Sequence, residues 1–312
     1  MRKLTIYVVS AVVVLAVVFI FHLHVGSFGV HSPSGADASV VPTSQPGSHF
    51  YLDIGASASM GVQPGVHGYS DTGYSNDLVT IEASKGLELD LNEIGCPGED
   101  VQSMLSISTQ ARIRLLRQRC YHSGPTQLAL ATSFLQAHHS DTGVVTIDLG
   151  FNNMRVCLLQ TTISPACVKN NLRYVSHDLP KILADLESAA GPGVHFVGLE
   201  YSDPFLADYF NGPSGFADAT ETLTAMTAMN SILAQAYGNA HMAVAQVSRA
   251  FDSANTSLVT LADVGTVPEN VKQVCLLTWM CAHAPYGPDD HPNNAGYMVI
   301  ARAIAAVLPS SL

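Results

Sequence analysis

Five short apolar runs set the frame of this chain: "HFYLDI" (49–54), "LELDL" (87–91), "GVVTIDL" (143–149), "VHFVGLE" (194–200) and "HMAVAQV" (241–247). Helix-like stretches separate them. "SNDLVTIEASKG" opens with polar capping residues, and "PTQLALATSFLQAHH" starts at a proline suited to a first helical turn. "NNLRYVSHDLPKILADLESAAGPG" carries Leu and Ile at helical spacing, with a kink expected at Pro180, and stops at Gly-Pro-Gly. "ADATETLTAMTAMNSILAQAYGNA" runs to Gly238, and "NNAGYMVIARAIAAVL" closes the chain. Strands alternating with helices imply βαβ units and a parallel sheet covered on both faces. The fold class expected is therefore α/β, a three-layer α/β/α sandwich around a parallel five-stranded sheet.

The first 48 residues do not belong to that pattern. Met1-Arg2-Lys3 is followed by an apolar run from Leu4 to Phe21, broken only by Thr5 and Ser10. A helix of this length can cross the roughly 30 Å hydrocarbon core of a bilayer. The run also exceeds the apolar stretch of a secretory signal peptide, although a small-x-small site exists at Ala36-Asp37-Ala38. The expectation is an uncleaved signal anchor over 1–25, with a cleaved signal peptide as the alternative. Arg2 and Lys3 keep the N-terminus cytoplasmic, so the remainder is exported. Residues 26–48 are rich in Gly, Ser and Pro and read as a flexible tether. Residues 49–312 are left for the folded domain.

Charge and cysteines narrow the partners. The chain has 14 Lys and Arg against 25 Asp and Glu, and the imbalance deepens once Arg2 and Lys3 are set aside. Such a surface argues against nucleic acid and against binding anionic headgroups by charge. Cys96, Cys120, Cys157, Cys167, Cys275 and Cys281 all lie beyond the apolar segment. An even count outside the cytoplasm points to disulfides, and the simplest of the 15 connectivities pairs neighbours: 96–120, 157–167 and 275–281. Zinc is the rival, but no CxxC or HxxxH spacing supports it. His138, His139, Asp141 and His283 read as solvated loop residues, and no metal site is expected.

In open parallel sheets ligands bind outside the carboxyl ends of the strands. Gly55-Ala56-Ser57 follows the first run, "NEIGCPGEDV" the second, and "GFNN" (150–153) the third. "YSDPFLADYFNG" follows the fourth, and "PDDHPNNAGY" sits near the C-terminus. Acyl transfer needs a nucleophile, a base, an orienter for the base and donors for the oxyanion. Ser57 can supply the first and His291 the second. The N–H groups of Ser57 and Gly98 and the Asn152 amide can supply the donors, Gly98 because a missing Cβ permits close approach.

These blocks resemble the SGNH (GDSL-like) serine esterases, whose name records Ser, Gly, Asn and His in successive blocks. Gly55-Ala56-Ser57 with Gly61 four residues on fits the family's first block, and Ser59 does not. "NEIGCPGEDVQSM" resembles the second, Gly150-Phe151-Asn152-Asn153 the third and "DDHPNNAGY" the last. The three local disulfides and a "TWMC" stretch before the histidine are similar to secreted actinobacterial members. The resemblance departs at Ala56 and Asn153, where aspartates commonly brace the site. It departs again at Pro288, where the family's acid lies three residues before the histidine. Asp289 is the expected orienter of His291, with the Pro288 carbonyl as the alternative. A third reading has Asp289 and Asp290 only capping the last helix.

The resemblance implies an extracytoplasmic esterase or lipase that forms a Ser57 acyl-enzyme and needs no cofactor. Its expected partners are a small-molecule or lipid ester and, through the N-terminal helix, a membrane. A polysaccharide O-deacetylase of the same family and a non-catalytic cell-surface binding domain remain as alternatives, since fold does not fix function. Trp279 and Met280 read as packing around a disulfide. The aromatics Tyr201, Phe205, Tyr209, Phe210 and Phe216 either line an acyl pocket or cover the sheet end. Glu99 and Asp100 are expected to start a helix after Gly98.

Overall fold

The computed structural model describes residues 49–65, 70–106, 120–121, 124–262 and 264–312. The proposed anchor (1–25) and tether (26–48) lie outside them. Among the described residues, no helix is long and apolar enough to cross a membrane.

Five strands form one parallel sheet in the order β2-β1-β3-β4-β5. They are β1 (His49–Gly55), β2 (Leu89–Glu93), β3 (Gly143–Asp148), β4 (Val194–Leu199) and β5 (Ala243–Ala245). Each falls within or overlaps an expected run, although β5 is only three residues long. The strand period of two sorts β1 between two cores. Phe50, Leu52 and Ile54 face one side, with Val145 and Ile147 of β3. Tyr51 faces the other, with Val144, Val197 and Leu199.

Helices cover both faces, which makes the expected three-layer sandwich. The first face is covered mainly by α3 (Gln127–Ala137), α5 (Pro165–Ala189) and α6 (Pro213–Asn239), through residues such as Leu135, Ile182 and Leu233. α2 (Val101–Leu105) adds Val101 and Met104, and α4 (Phe151–Leu158) adds Met154 and Leu158. The second face is covered by α1 (Tyr74–Ser84) and the C-terminal helix α9 (Asn294–Ala305), through Tyr74, Leu78, Tyr297 and Ile300. The short α7 (Val247–Ala250) adds Val247 to this core. Each face buries a continuous apolar layer, at about 25 cal/mol per Å² of apolar surface removed from water. α5 runs its 25 residues through Pro180, so the proline sits inside one helix and does not end it.

One part was not expected. Strands β6 (Leu258–Leu261) and β7 (Gly265–Pro268) pair antiparallel and lead into α8 (Glu269–Leu277). With Leu206 of a 3₁₀ helix (Pro204–Asn211) and Ala219 of α6 they bury a small third cluster around Val267, Val271 and Val274. Their strands alternate too weakly to be read as apolar runs. Leu258 is exposed and Thr260 faces solvent.

Candidate active site

The end of β1 is held from three sides. Gln127, fully buried on α3, pairs with Gly55 as a neighbouring strand would. Its Oε1 accepts from Gly55 N–H at 2.8 Å, and its Nε2 donates to Gly55 C=O at 2.9 Å. A Cβ on Gly55 would lie 2.5 Å from the Asp148 carbonyl oxygen, so only glycine permits β1 and β3 to end this close together. The Asp148 carboxylate then reaches over the turn. Its Oδ2 accepts from Ala56 N–H at 3.4 Å and from Ser59 N–H at 3.1 Å.

The same turn separates its two serines. Ser59 is fully buried and donates its hydroxyl to Ala56 C=O at 2.8 Å, beside Gly95, where any Cβ would strike its Oγ. Ser59 is thus the turn's internal brace. Ser57 is half-buried and lines a pocket, and among the described residues its Oγ makes no hydrogen bond. Hydrogen bonds between such groups often tighten only with substrate bound.

The second block packs directly on this turn. Cys96 N–H donates to Gly55 C=O at 3.0 Å. Cys96-Pro97-Gly98-Glu99 closes a β-turn with a 3.0 Å bond from Glu99 N–H to Cys96 C=O. Proline at the second position and Gly98 at the third, with φ +88°, fit a type II turn. Asp100 caps α2 in a capping box with Ser103, so the helix start expected after Gly98 is carried by Asp100. Asn152, buried in the first turn of α4, donates one amide N–H to Glu99 C=O at 3.0 Å. That fixes the side chain and leaves its second N–H toward the pocket it lines. Asn153, in the place of a bracing aspartate, ties α4 to α2. It accepts from Val101 N–H at 3.3 Å and donates to Gln102 Oε1 at 2.6 Å.

The histidine segment follows α8. Trp279 N–H donates to His291 C=O at 3.1 Å, and Asp289 N–H donates to Trp279 C=O at 3.2 Å. Thr278 bridges Pro292 antiparallel. His291 Nδ1 lies 2.7 Å from Asp289 Oδ1, which also accepts His291 N–H at 3.0 Å. The imidazole therefore takes the carboxylate as its partner at Nδ1, not the Pro288 carbonyl. Neither aspartate caps α9; Asn293 does, accepting from Gly296 N–H at 3.1 Å. Asp290 is bound to Arg155 of α4 and keeps an oxygen 3.8 Å from His291 Nδ1. Asp290 therefore lines the pocket beside His291, held there by an arginine from the Asn152 helix.

The pocket joins these segments. Ser57, Asn152 and His291 share its wall, Asp289 stands behind the imidazole, and Gly98 lies in the adjacent turn and not in the wall. Its empty volume is ≈ 570 Å³, open solvent at the mouth included. Tyr201 lines it, with Phe151 at 5.4 Å between ring centroids and Pro204 beside them. Phe205 stacks behind Phe151 at 6.2 Å in the core, while Tyr209 and Phe216 pair further out at 4.5 Å. So the aromatic segment divides: Tyr201 faces the pocket, Phe205 joins the core, Tyr209 packs against the third cluster, and Phe210 and Phe216 are exposed.

Two carboxylates face His291 in opposite electrostatic states. Burial pushes the Asp148 carboxyl above its ordinary range. The nearby Tyr201 hydroxyl, the Ala56 and Ser59 N–H groups and the charge of His291 only partly offset this. Partial burial also raises Asp289, but there the bonds from His291 and the charges of His291 and Arg155 prevail and hold it below the usual range. Below Asp148, Asp53 accepts hydroxyl bonds from Tyr74 at 2.8 Å and Thr146 at 2.6 Å, and desolvation raises it strongly. The donor atoms of Asp289, Asp290 and His291 fall within 4.8 Å of one another. They are already engaged in the ion pairs above.

Sequence reasoning missed Asp148, Gln127 and Gln63. Gln63 donates to Thr72 at 2.8 Å and Asn294 at 2.7 Å, and accepts the Trp279 indole N–H at 3.0 Å. It joins the Ser57 turn to the His291 segment, and Trp279 is half of that tie as well as packing. Lone glutamines, whether in a loop like Gln63 or opening a helix like Gln127, carry no sequence signal. The aspartate closing "VVTID" does: a charge at the end of an otherwise buried strand asks for a partner. The disulfides pair as neighbours, 96–120, 157–167 and 275–281.

No family model matches this chain, and no curated protein does. Solved structures match its fold. Phospholipase A1 from Streptomyces albidoflavus NA297 aligns at a TM-score of 0.52 and 18% identity, over 84% of this chain and 100% of the other. An extracellular lipase from Streptomyces rimosus aligns at a TM-score of 0.52 and 19% identity, over the same shares. A lipase, Lip_vut3, from a goat rumen metagenome aligns at 0.50 and 14%, over 83% and 97%. At these identities the likeness is one of fold, and it is the fold that the SGNH resemblance implies.

Proposed function

We propose that this chain is a serine ester hydrolase of SGNH type, acting outside the cytoplasm. One observation carries the reading: the 2.7 Å contact of His291 Nδ1 with Asp289 stands behind a pocket that Ser57, Asn152 and His291 share. In the reaction, His291 Nε2 takes the Ser57 proton while Oγ attacks the ester carbonyl. The N–H groups of Ser57 and Gly98 and the second amide N–H of Asn152 hold the oxyanion. Collapse breaks the carbon–oxygen bond, and the imidazolium gives its proton to the departing alcohol. Water, deprotonated by His291, then attacks the acyl-enzyme. The acid leaves, and Ser57 recovers its proton from His291. Asp289 fixes the imidazole tautomer and stabilises the imidazolium in both halves.

Three closed disulfides support an oxidising compartment. The apolar segment at 4–21 would supply the membrane attachment, or the export signal if it is cleaved. The test is hydrolysis of p-nitrophenyl butyrate. Ser57→Ala should lower kcat by at least about 10³-fold with the fold retained, while Ser59→Ala, which loses one internal hydrogen bond, keeps most activity. Equal loss in the two variants, both folded, would reject Ser57 as the nucleophile.

A further inference from the structure

Building on the esterase reading, we propose that the pocket beside Ser57 takes esters that carry an ammonium group, and that Glu200 selects for it. Glu200 directly follows β4, in the pocket wall between Leu199 and Tyr201. Its Oε2 accepts from Ser248 Oγ at 3.1 Å, and its Oε1 has no protein donor among the described residues. Among the described residues, no lysine or arginine lines the pocket. The basic group next to it, Arg155, is spent on Asp290. A second carboxylate, Asp148, forms part of the same wall, where the charge of His291 acts on it.

These carboxylates share a wall with Ser57, Asn152, Ser202, Asp290 and His291, and the rest of the space is lined mainly by apolar or aromatic side chains. Leu199, Val247 and Ile300 are almost fully buried on one side, and Phe151 and Tyr201 stand on the other. A carboxylate attracts a cation more strongly across such low-dielectric surroundings than in water. Aromatic faces add attraction for an alkylated ammonium, and aliphatic walls accommodate its methyl groups. The same field opposes a phosphodiester and favours departure of the carboxylate product. Burial pushes the Glu200 carboxyl above its usual range, with Ser248 partly offsetting it, and a bound cation would oppose that rise.

Two esters of the same shape isolate the charge: butyrylcholine and 3,3-dimethylbutyl butyrate, which replaces the ammonium nitrogen with carbon. Calorimetric titration of each into the full chain carrying Ser57→Ala, in non-ionic detergent, reads binding without turnover. The active protein's kcat/KM ratio reads the same preference in catalysis. At low ionic strength the choline ester should be favoured about tenfold or more in both measurements. Glu200→Gln, which can still accept from Ser248, should collapse the ratio toward one. Added salt should narrow it without any change at Glu200, so the test does not hang on that variant's folding.

Equal binding of the two esters overturns the proposal. So does undetectable binding of the choline ester at millimolar concentration, or a preference that survives both Glu200→Gln and salt. If neither ester is hydrolysed while Ser57→Ala protein keeps the preference, the esterase reading fails and the pocket assignment stands. Hydrolysis of both at equal rates is the reverse case.

Discussion

The Ser57 turn and the His291 segment meet at one pocket, but they are fixed by different means. The Ser57 turn is pinned from inside. Buried Gln127 pairs with its backbone, buried Asp148 receives two of its N–H groups, and Ser59 bonds back within it. The His291 segment is pinned from its flanks, by a backbone bridge to Thr278, a disulfide between Cys275 and Cys281, and a half-exposed carboxylate on the ring. Their aspartates therefore differ in kind. Asp148 is held where its charge is costly, and Asp289 is held where its charge is matched. The first carboxylate buys geometry with stability, whereas the second pairs with the imidazole that the proposed mechanism makes the proton carrier.

That contrast is open to attack from the His291 side first. Asp289→Asn should lower kcat by about 10²–10⁴-fold, the upper end being the loss seen for an aspartate-to-asparagine change in a serine-protease triad. Its melting temperature at neutral pH should fall modestly, because the lowered Asp289 carboxyl contributes its stability there. A loss under about tenfold would mean that a carbonyl suffices to orient the ring, and Asp289 would leave the catalytic list.

A smaller effect is expected at the tie between the two regions. Trp279→Phe keeps the aromatic bulk and Gln63→Met the length, but each removes the indole–amide bond. Each should cost about tenfold in kcat with KM little changed, because misplacing a base relative to its nucleophile affects chemistry before binding. If the bond is what matters, the double variant should lose no more than either single one. Additive losses would reduce the pair to packing.

Asp290→Asn breaks the pair with Arg155 and weakens the field at His291. A severalfold loss of kcat is expected, well short of that for Asp289→Asn. Parity between the two would erase the distinction between the carboxylate bonded to the ring and the one 3.8 Å away.

Asp148→Asn should change kcat least, since an amide oxygen can still receive the turn's N–H groups, and it sharpens the comparison through stability. The Asp148 carboxyl is raised in the folded state, so it favours the fold below its unfolded value. That contribution is lost as pH rises through the folded value. Asp289 is lowered, so its contribution is present above the unfolded value and is lost as pH falls through the folded one. Melting temperatures relative to wild type should therefore move in opposite directions. Asp148→Asn should gain on wild type as pH rises above about 4, whereas Asp289→Asn should recover toward wild type only as pH falls below about 4 (the ordinary carboxyl value is about 3.9). Parallel slopes would show that the two carboxylates are not electrostatically distinct.

How legible all this was in the sequence depended on chain distance. The sheet could be read because each strand is a contiguous apolar run. Ser57 and Asn152 could be located because each follows a strand end, where a parallel sheet presents its ligands. Asp289 was legible as a candidate because it lies two residues from His291. The braces were harder to read. Asp148 could be suspected as a charge ending a buried strand, but its partners could not, Gln63 meets Trp279 across 216 residues, and Arg155 meets Asp290 across 135. Long-range polar pairs leave no periodic trace, so only the folded chain identifies them. The hairpin of β6 and β7 was missed for a local reason, since its short strands have exposed apolar residues.

The central claim is that Ser57, driven by His291 and Asp289, is the nucleophile. Labelling with a fluorophosphonate tests it most directly, because the covalent bond marks the attacking atom without needing the natural substrate. The account predicts a single adduct, mapped by peptide mass spectrometry to Ser57, forming at a rate that Asp289→Asn slows sharply and Ser59→Ala does not. An adduct on Ser59, or no adduct on folded protein, would contradict it.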